Sequence, residues 1–166
     1  MSEFVHERHK PPSELPAGCE LVLACPPLRS NVNVSRIMRA ASCCGVRRMI
    51  ACGRPKVDPK IARDGAELVA LEVRRSLPPV LKRLGSEGYQ LVGLEQTSNS
   101  VCLSEFPFAP KTVLVVGHER LGLDQETLDV LHHVVEIPVY GLPYSFNVAT
   151  ATAVAMYEYC RQMASR

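Results

Sequence analysis

The 166-residue chain has no Cys-x-x-Cys pair among its 7 cysteines, so a structural zinc site has no ligand frame and no metal is expected. No Gly-x-Gly-x-x-Gly follows the first apolar run. Pro26-Pro27-Leu28-Arg29-Ser30-Asn31 stands there instead, which argues against a dinucleotide-binding Rossmann turn. A Gly-Lys-Ser/Thr phosphate loop is also missing, which disfavours nucleoside triphosphates, and no Gly-x-Ser-x-Gly elbow points to a hydrolase. The formal net charge is only +2, too small to argue for nucleic acid by its total. The longest uncharged apolar run, Phe146 to Tyr157, is too short to span a bilayer, and the first twelve residues lack the apolar core of a secretory signal. No membrane partner is expected.

What remains is ordinary for one globular domain, with 46% hydrophobic and 22% charged residues. Most of the cysteines lie in apolar runs, where a free thiol behaves as a small hydrophobe, and a reduced, cytoplasmic setting is expected. Residues 1–18 are charged and Pro-rich and read as a flexible arm; residues 19–166 read as the domain. Apolar strands are predicted over Glu20–Cys25, Val46–Cys52, Glu67–Val73, Tyr89–Leu94, Thr112–Val116 and His133–Ile137. Between them, helices are predicted over Val34–Cys44, Pro59–Asp64, Ser76–Glu87 with Ser76 as its cap, Gln125–Leu131 behind Asp124, and Phe146–Met163. Strands this apolar, separated by helices, predict an α/β fold with a parallel sheet covered on both faces.

Three short motifs carry chemistry. Asn33 and Arg39 stand six apart where a helix opens, in Asn33-Val34-Ser35-Arg36-Ile37-Met38-Arg39. A strand then runs into Gly117-His118-Glu119-Arg120-Leu121-Gly122, where glycine lets backbone approach a ligand beside a carboxylate. Gly93-Leu94-Glu95-Gln96-Thr97 closes the preceding strand, and ligands in open α/β sheets gather at such carboxyl ends. Last, Ile137-Pro138-Val139-Tyr140-Gly141-Leu142-Pro143-Tyr144-Ser145-Phe146-Asn147-Val148 joins a strand to the apolar C-terminal helix and puts Ser145 and Asn147 at that helix start. Each has a plainer reading, since Asn and Ser are common helix caps and Gly-rich turns are frequent. A basic cluster, Arg29, Arg36, Arg39, Arg47, Arg48, Arg54, Lys56, Lys60 and Arg63, is interrupted only by Asp58 and Asp64; its plainer reading is a solvated basic face.

Together, in this order, the motifs resemble the three signatures of the SpoU (TrmH-like) RNA ribose 2'-O-methyltransferases of the SPOUT superfamily, over residues 20–163. Ser35 stands where the family more often has Gly, and Phe146 where it has Leu. The resemblance implies a parallel sheet with a C-terminal deep trefoil knot and transfer of methyl from S-adenosyl-L-methionine to a ribose 2'-hydroxyl. It implies Arg39, Asn33, Glu119, Ser145 and Asn147 as catalytic residues. Leu94, Gly117, Ile137, Ser145 and Phe146 are the implied cofactor residues. It further implies a homodimer, through the uncharged face of the last helix at Val148, Ala151, Ala155 and Tyr159. RNA is then the substrate, recognised by the core and its basic residues; the wording of Leu94-Glu95-Gln96-Thr97 and of the second motif favours tRNA, guanosine included. Ribosomal RNA, and a non-catalytic RNA-binding protein that keeps the fold, stand as alternatives. A SPOUT enzyme acting on a base nitrogen fits less well with Arg39 and the Ser-x-Asn pair.

Overall fold

The computed structural model describes residues 4–166. Strands β1 (Glu20–Cys25), β2 (Arg48–Cys52), β3 (Ala70–Arg74), β4 (Gln90–Leu94), β5 (Val101–Cys102), β6 (Lys111–Val116) and β7 (His133–Glu136) form one sheet in the order β3-β2-β1-β6-β4-β7-β5. Every pairing is parallel. The central strands are buried on both faces, which is why they read as unbroken apolar runs and not as alternation. Helices α1 (Asn31–Cys43) and α6 (Val148–Ala164) pack with one another over one face of the sheet, around Ile37, Met38, Leu23, Leu114 and Met156. Helices α4 (Pro78–Ser86) and α5 (Gln125–Leu128) lie on the other side, over Ile50, Leu81, Leu91 and Val113. The expected α/β sheet, covered on both faces, is what forms.

Register decides where chemistry can sit. Leu94 pairs with Val116, and Ala24 with Val115, so β4, β6 and β1 end at one edge of the sheet. The loops that follow them therefore meet there, and they hold the first two motifs and Glu95. From β7, inserted between β4 and β5, residues 137–147 return the third motif to the same edge before α6 begins.

Several boundaries differ from expectation, each for a local reason. Helix α1 starts three residues before Val34, because the Ser30 side chain caps it by accepting from the Asn33 N–H; Asn33 is inside the helix and not its cap. Ser76 does not cap α4; Leu77 occupies that position without a side-chain bond. Glu67 and Leu68 belong to a helical turn, α3 (Gly65–Leu68), and not to β3. The short helix from Pro59 stops earlier, as α2 (Pro59–Ala62). At the C-terminal helix Asn147 caps α6, accepting from Ala149 and Thr150 N–H groups, so Ser145 and Phe146 lie in the preceding loop. β5 was not anticipated, since two residues carry no period. The first three residues of the arm lie outside the described residues; Phe4 to Gly18 form no helix or strand, and Leu15 packs against the core.

Candidate active site

Glu119 leaves the end of β6 and turns toward the start of α1. Its carboxylate accepts from the backbone N–H groups of Arg29 (2.9 Å) and Ser30 (3.0 Å) and from Asn33 Nδ2 (3.1 Å). Asn33 Oδ1 in turn accepts from Asn147 Nδ2 at 3.2 Å, and Asn147 Oδ1 accepts from the first turn of α6. One hydrogen-bonded chain thus ties the second, first and third motifs, across 86 and 114 residues of sequence. Burial acts to raise the Glu119 pKa, but the backbone donors of Arg29 and Ser30, with the Asn33 amide, overcome it and hold the carboxyl at about 2. Glu119 is accordingly a fixed anion that orients Asn33.

Beside this chain opens a cleft of about 440 Å³ at the carboxyl edge of the sheet. Seven of the nine expected site residues line it: Leu94, Gly117, Glu119, Ile137, Ser145, Phe146 and Asn147. Asn33 stands one hydrogen bond behind, through Glu119 and Asn147. Arg39 is not in the cleft wall. It is exposed on α1, two turns beyond Asn33.

Glycine is required at the cleft floor. A Cβ on Gly117 would fall 2.9 Å from the Gly122 backbone, and one on Gly122, whose φ is +67°, would fall 2.3 Å from Glu95 Oε2. The two glycines leave room for the Glu95 carboxylate, which accepts from the N–H groups of Gln96 and Leu123. His118 holds the same turn, its Nδ1 accepting from Arg120 and Leu121 N–H groups. Gln96 Nε2 donates to Tyr144 O at 3.2 Å and anchors the third-motif loop over the cleft. Glu95, Gln96, His118 and Glu136 also line the site but were not expected there as ligand contacts. Motif wording alone pointed at the first three; nothing local marks Glu136, the last residue of β7.

A description of the "SpoU rRNA Methylase family" matches residues 20–157. The chain belongs to this family. The tRNA (guanosine(18)-2'-O)-methyltransferase of Escherichia coli (strain K12) is 29% identical over 133 residues, covering 78% of this chain and 58% of that protein. The chain therefore spans little more than half the length of that curated relative. Among solved structures, the Aquifex aeolicus TrmH/SpoU tRNA modifying enzyme superposes with a TM-score of 0.84 at 27% identity, covering 88% of this chain and 76% of the other. The SpoU methyltransferase AviRb from Streptomyces viridochromogenes, in complex with the cofactor AdoMet, gives 0.75 at 26%, covering 93% and 64%.

Among the described residues no helix is long and apolar enough to cross a membrane, and no cluster of potential metal ligands occurs. All seven cysteines are free. One site expectation is overturned: Ala155 and Tyr159 are buried within this chain, at 0% and 1% exposure, and cannot face a second subunit. Tyr159 instead donates its hydroxyl to Pro110 O and packs on Phe108. The exposed large hydrophobic residues of α6 are Val154 and Tyr157.

Proposed function

We propose that the chain methylates a ribose 2'-hydroxyl of RNA with S-adenosyl-L-methionine as donor, with tRNA, guanosine included, as the preferred substrate. The hydrogen-bonded chain Glu119–Asn33–Asn147 at the rim of the cleft carries this reading, because it brings the three motifs together beside one cleft. The cleft fits such a donor: its volume suits a small molecule, its floor is backbone at Gly117, and Leu94, Ile137 and Phe146 supply apolar walls. Bound there, the donor would supply a methyl group already activated on a sulfonium. Leu94, Gly117, Ile137 and Phe146 would hold it, and Ser145, exposed at the rim, would orient the polar end or the incoming ribose.

The residues' remaining tasks are alignment and help in removing the hydroxyl proton. Arg39 does not serve as a literal base, since a guanidinium keeps its protons in proteins. It holds RNA phosphate and stabilises the alkoxide that develops at the 2'-oxygen. Because Arg39 lies outside this chain's own cleft, the reading includes a homodimer in which a second copy completes the site. Val154 at 42% exposure and Tyr157 at 69%, with Tyr144 and Phe146 nearby in sequence, are the apolar groups such a contact would cover. Tyr157→Asp is expected to yield monomers by light scattering with melting unchanged, whereas Ala155→Asp buries an unpaired charge and costs about 3–5 kcal/mol of folding stability. The trefoil knot belongs to this reading as well; insertion of β7 between the earlier strands β4 and β5 supports it. A cytoplasmic location is proposed on the free cysteines.

Labelled-methyl transfer to bulk tRNA and to ribosomal RNA, with nucleoside analysis of the product, tests the proposal. Label in 2'-O-methylguanosine from tRNA is the expected result. Label confined to ribosomal RNA selects the other substrate class. Donor binding without transfer to either places the non-catalytic RNA-binding reading first.

A further inference from the structure

Four arginines of this chain are held in ion pairs, whereas others, among them Arg29, Arg47, Arg75 and Arg120, are exposed without one among the described residues. Arg48 and Arg74 pair with Glu72, Arg83 with Glu87, and Arg161 with Glu158. By contrast, Arg36, Arg39, Arg54, Lys56, Lys60 and Arg63 are exposed and make no ion pair or side-chain hydrogen bond among the described residues. Four of these six sit in one segment, residues 53–65, between β2 and α3. That segment is fastened onto α1 at three points. Asn31 Oδ1 accepts from the Lys56 N–H at 3.1 Å, and Ser35 Oγ accepts from the Asp58 N–H at 2.9 Å. At the far end, a Cβ on Gly65 would fall 2.7 Å from Met38 O and 3.2 Å from Arg39 Cα, so the segment closes directly against the backbone of Arg39.

Ser35 is fully buried, and its hydroxyl also donates to Asn31 O at 2.8 Å, which aims its lone pairs at Asp58. Glycine at this position would leave the Asp58 N–H without that acceptor. The segment's two carboxylates are Asp58, whose Oδ1 accepts from the Lys60 N–H, and Asp64 at the start of α3. The near end abuts the site itself: a Cβ on Gly53 would meet Pro27 Cβ at 2.9 Å, two residues before the Arg29 N–H that binds Glu119.

We infer that residues 53–65, stapled to α1 by Asn31 and Ser35, form a preset phosphate-binding arm that lays the RNA backbone along α1 beside Arg39. The inference rests on the methyltransferase reading and deepens it: Ser35 is a positioning residue, and Arg54, Lys56 and Lys60 supply the charge. A row of unpaired cations held on a folded segment repels itself unless a polyanion neutralises it. Phosphodiesters spaced along a strand do this, releasing counterions as they bind.

The test is RNA binding and turnover in a salt series with the full chain. Arg54→Gln/Lys56→Gln/Lys60→Gln is expected to lower the slope of log affinity against log salt by about 2, since each phosphate contact contributes roughly 0.7–0.9. The KM for tRNA should rise on the order of tenfold or more at moderate salt, with S-adenosylhomocysteine affinity and melting unchanged. Ser35→Ala keeps every cation but frees the arm, so it should raise KM while leaving the slope near wild type. Arg83→Gln, a paired cation elsewhere, should alter neither. A triple variant with the wild-type slope and KM overturns the arm. So does a triple variant that loses binding only to phosphatidylserine vesicles. A Ser35→Ala variant indistinguishable from wild type overturns the stapling. A wild-type chain with no salt-dependent RNA affinity overturns the RNA methyltransferase reading itself, a result distinct from failure of the triple variant alone.

Discussion

Glu119, Asn33 and Asn147 are held to one another by hydrogen bonds that use up most of their polar atoms, whereas Arg39 and Ser145 stand exposed with no side-chain partner among the described residues. Both sets come from the same three motifs, but Arg39 lies two turns along α1 from the cleft edge where the others meet. The difference separates two tasks. The closed set fixes the entrance of α1 and the start of α6 against β6, and so shapes the cleft before any ligand arrives. The open set offers a guanidinium and a hydroxyl whose partners must come from outside. Preorganisation is built where the small ligand would bind, and unsatisfied groups are left where the large one would.

The largest break of the closed half is Gly117→Val. The new side chain would collide with the Gly122 backbone and crowd the Glu95 carboxylate, neither of which can withdraw without dismantling the turn. Binding of S-adenosylhomocysteine, measured calorimetrically, should disappear, and overpacking should lower stability by about 1–3 kcal/mol. Retained binding in this variant would place the ligand elsewhere. Next, Arg39→Ala strikes only the open half. Methyl transfer should fall by about 10²–10³-fold, the usual loss when one transition-state donor is removed, while cofactor affinity and melting stay put. Arg39→Lys should remain badly impaired, because a point charge does not reproduce the planar fork of a guanidinium on phosphate. Arg36 lies one turn away on the same exposed flank of α1, so Arg36→Ala should weaken RNA binding modestly and leave the chemical step intact. A dead Arg36→Ala beside an active Arg39→Ala would reverse the assignment.

The two halves were unequally legible in the sequence. Gly117, Asn33, Glu119 and Asn147 could be singled out because each sits in a compact motif at a strand end or helix start. Their joining could not, since the partners are 86 and 114 residues apart and only strand order brings them together. The strands of the central sheet were readable as apolar runs, but β5 and the α3 turn were too short to show a period. The last helix misled in a specific way. An apolar stripe demands a covered face but does not say what covers it: Ala155 and Tyr159 meet their own sheet and the Phe108 segment, and Val154 and Tyr157 are what remains outside. Ser35 read as a small departure from a family pattern, because its partner, the Asp58 N–H, is visible only in the fold.

Glu119→Gln sharpens the comparison at smaller cost, since it keeps the shape and changes one acceptor into a donor. One of the N–H groups of Arg29, Ser30 or Asn33 must then face an amide NH₂, at about 1–3 kcal/mol. The same contact should appear as a pH dependence of its own sign. The folded state holds this carboxyl at about 2, below the ordinary value of 4.5, so the ionised group binds protons less readily folded than unfolded. Its contribution is fully present above the ordinary carboxylate range and is lost as pH falls from about 4.5 toward 2. Melting curves of wild type and Glu119→Gln should therefore differ by a constant amount from pH 5 to 8, within roughly the span where neither state of this group titrates. Below that range the gap should close, as the wild type loses what the variant never had. A gap that stays constant to pH 2.5 or so, or widens there, would mean that the Arg29, Ser30 and Asn33 donors do not hold Glu119 as an anion.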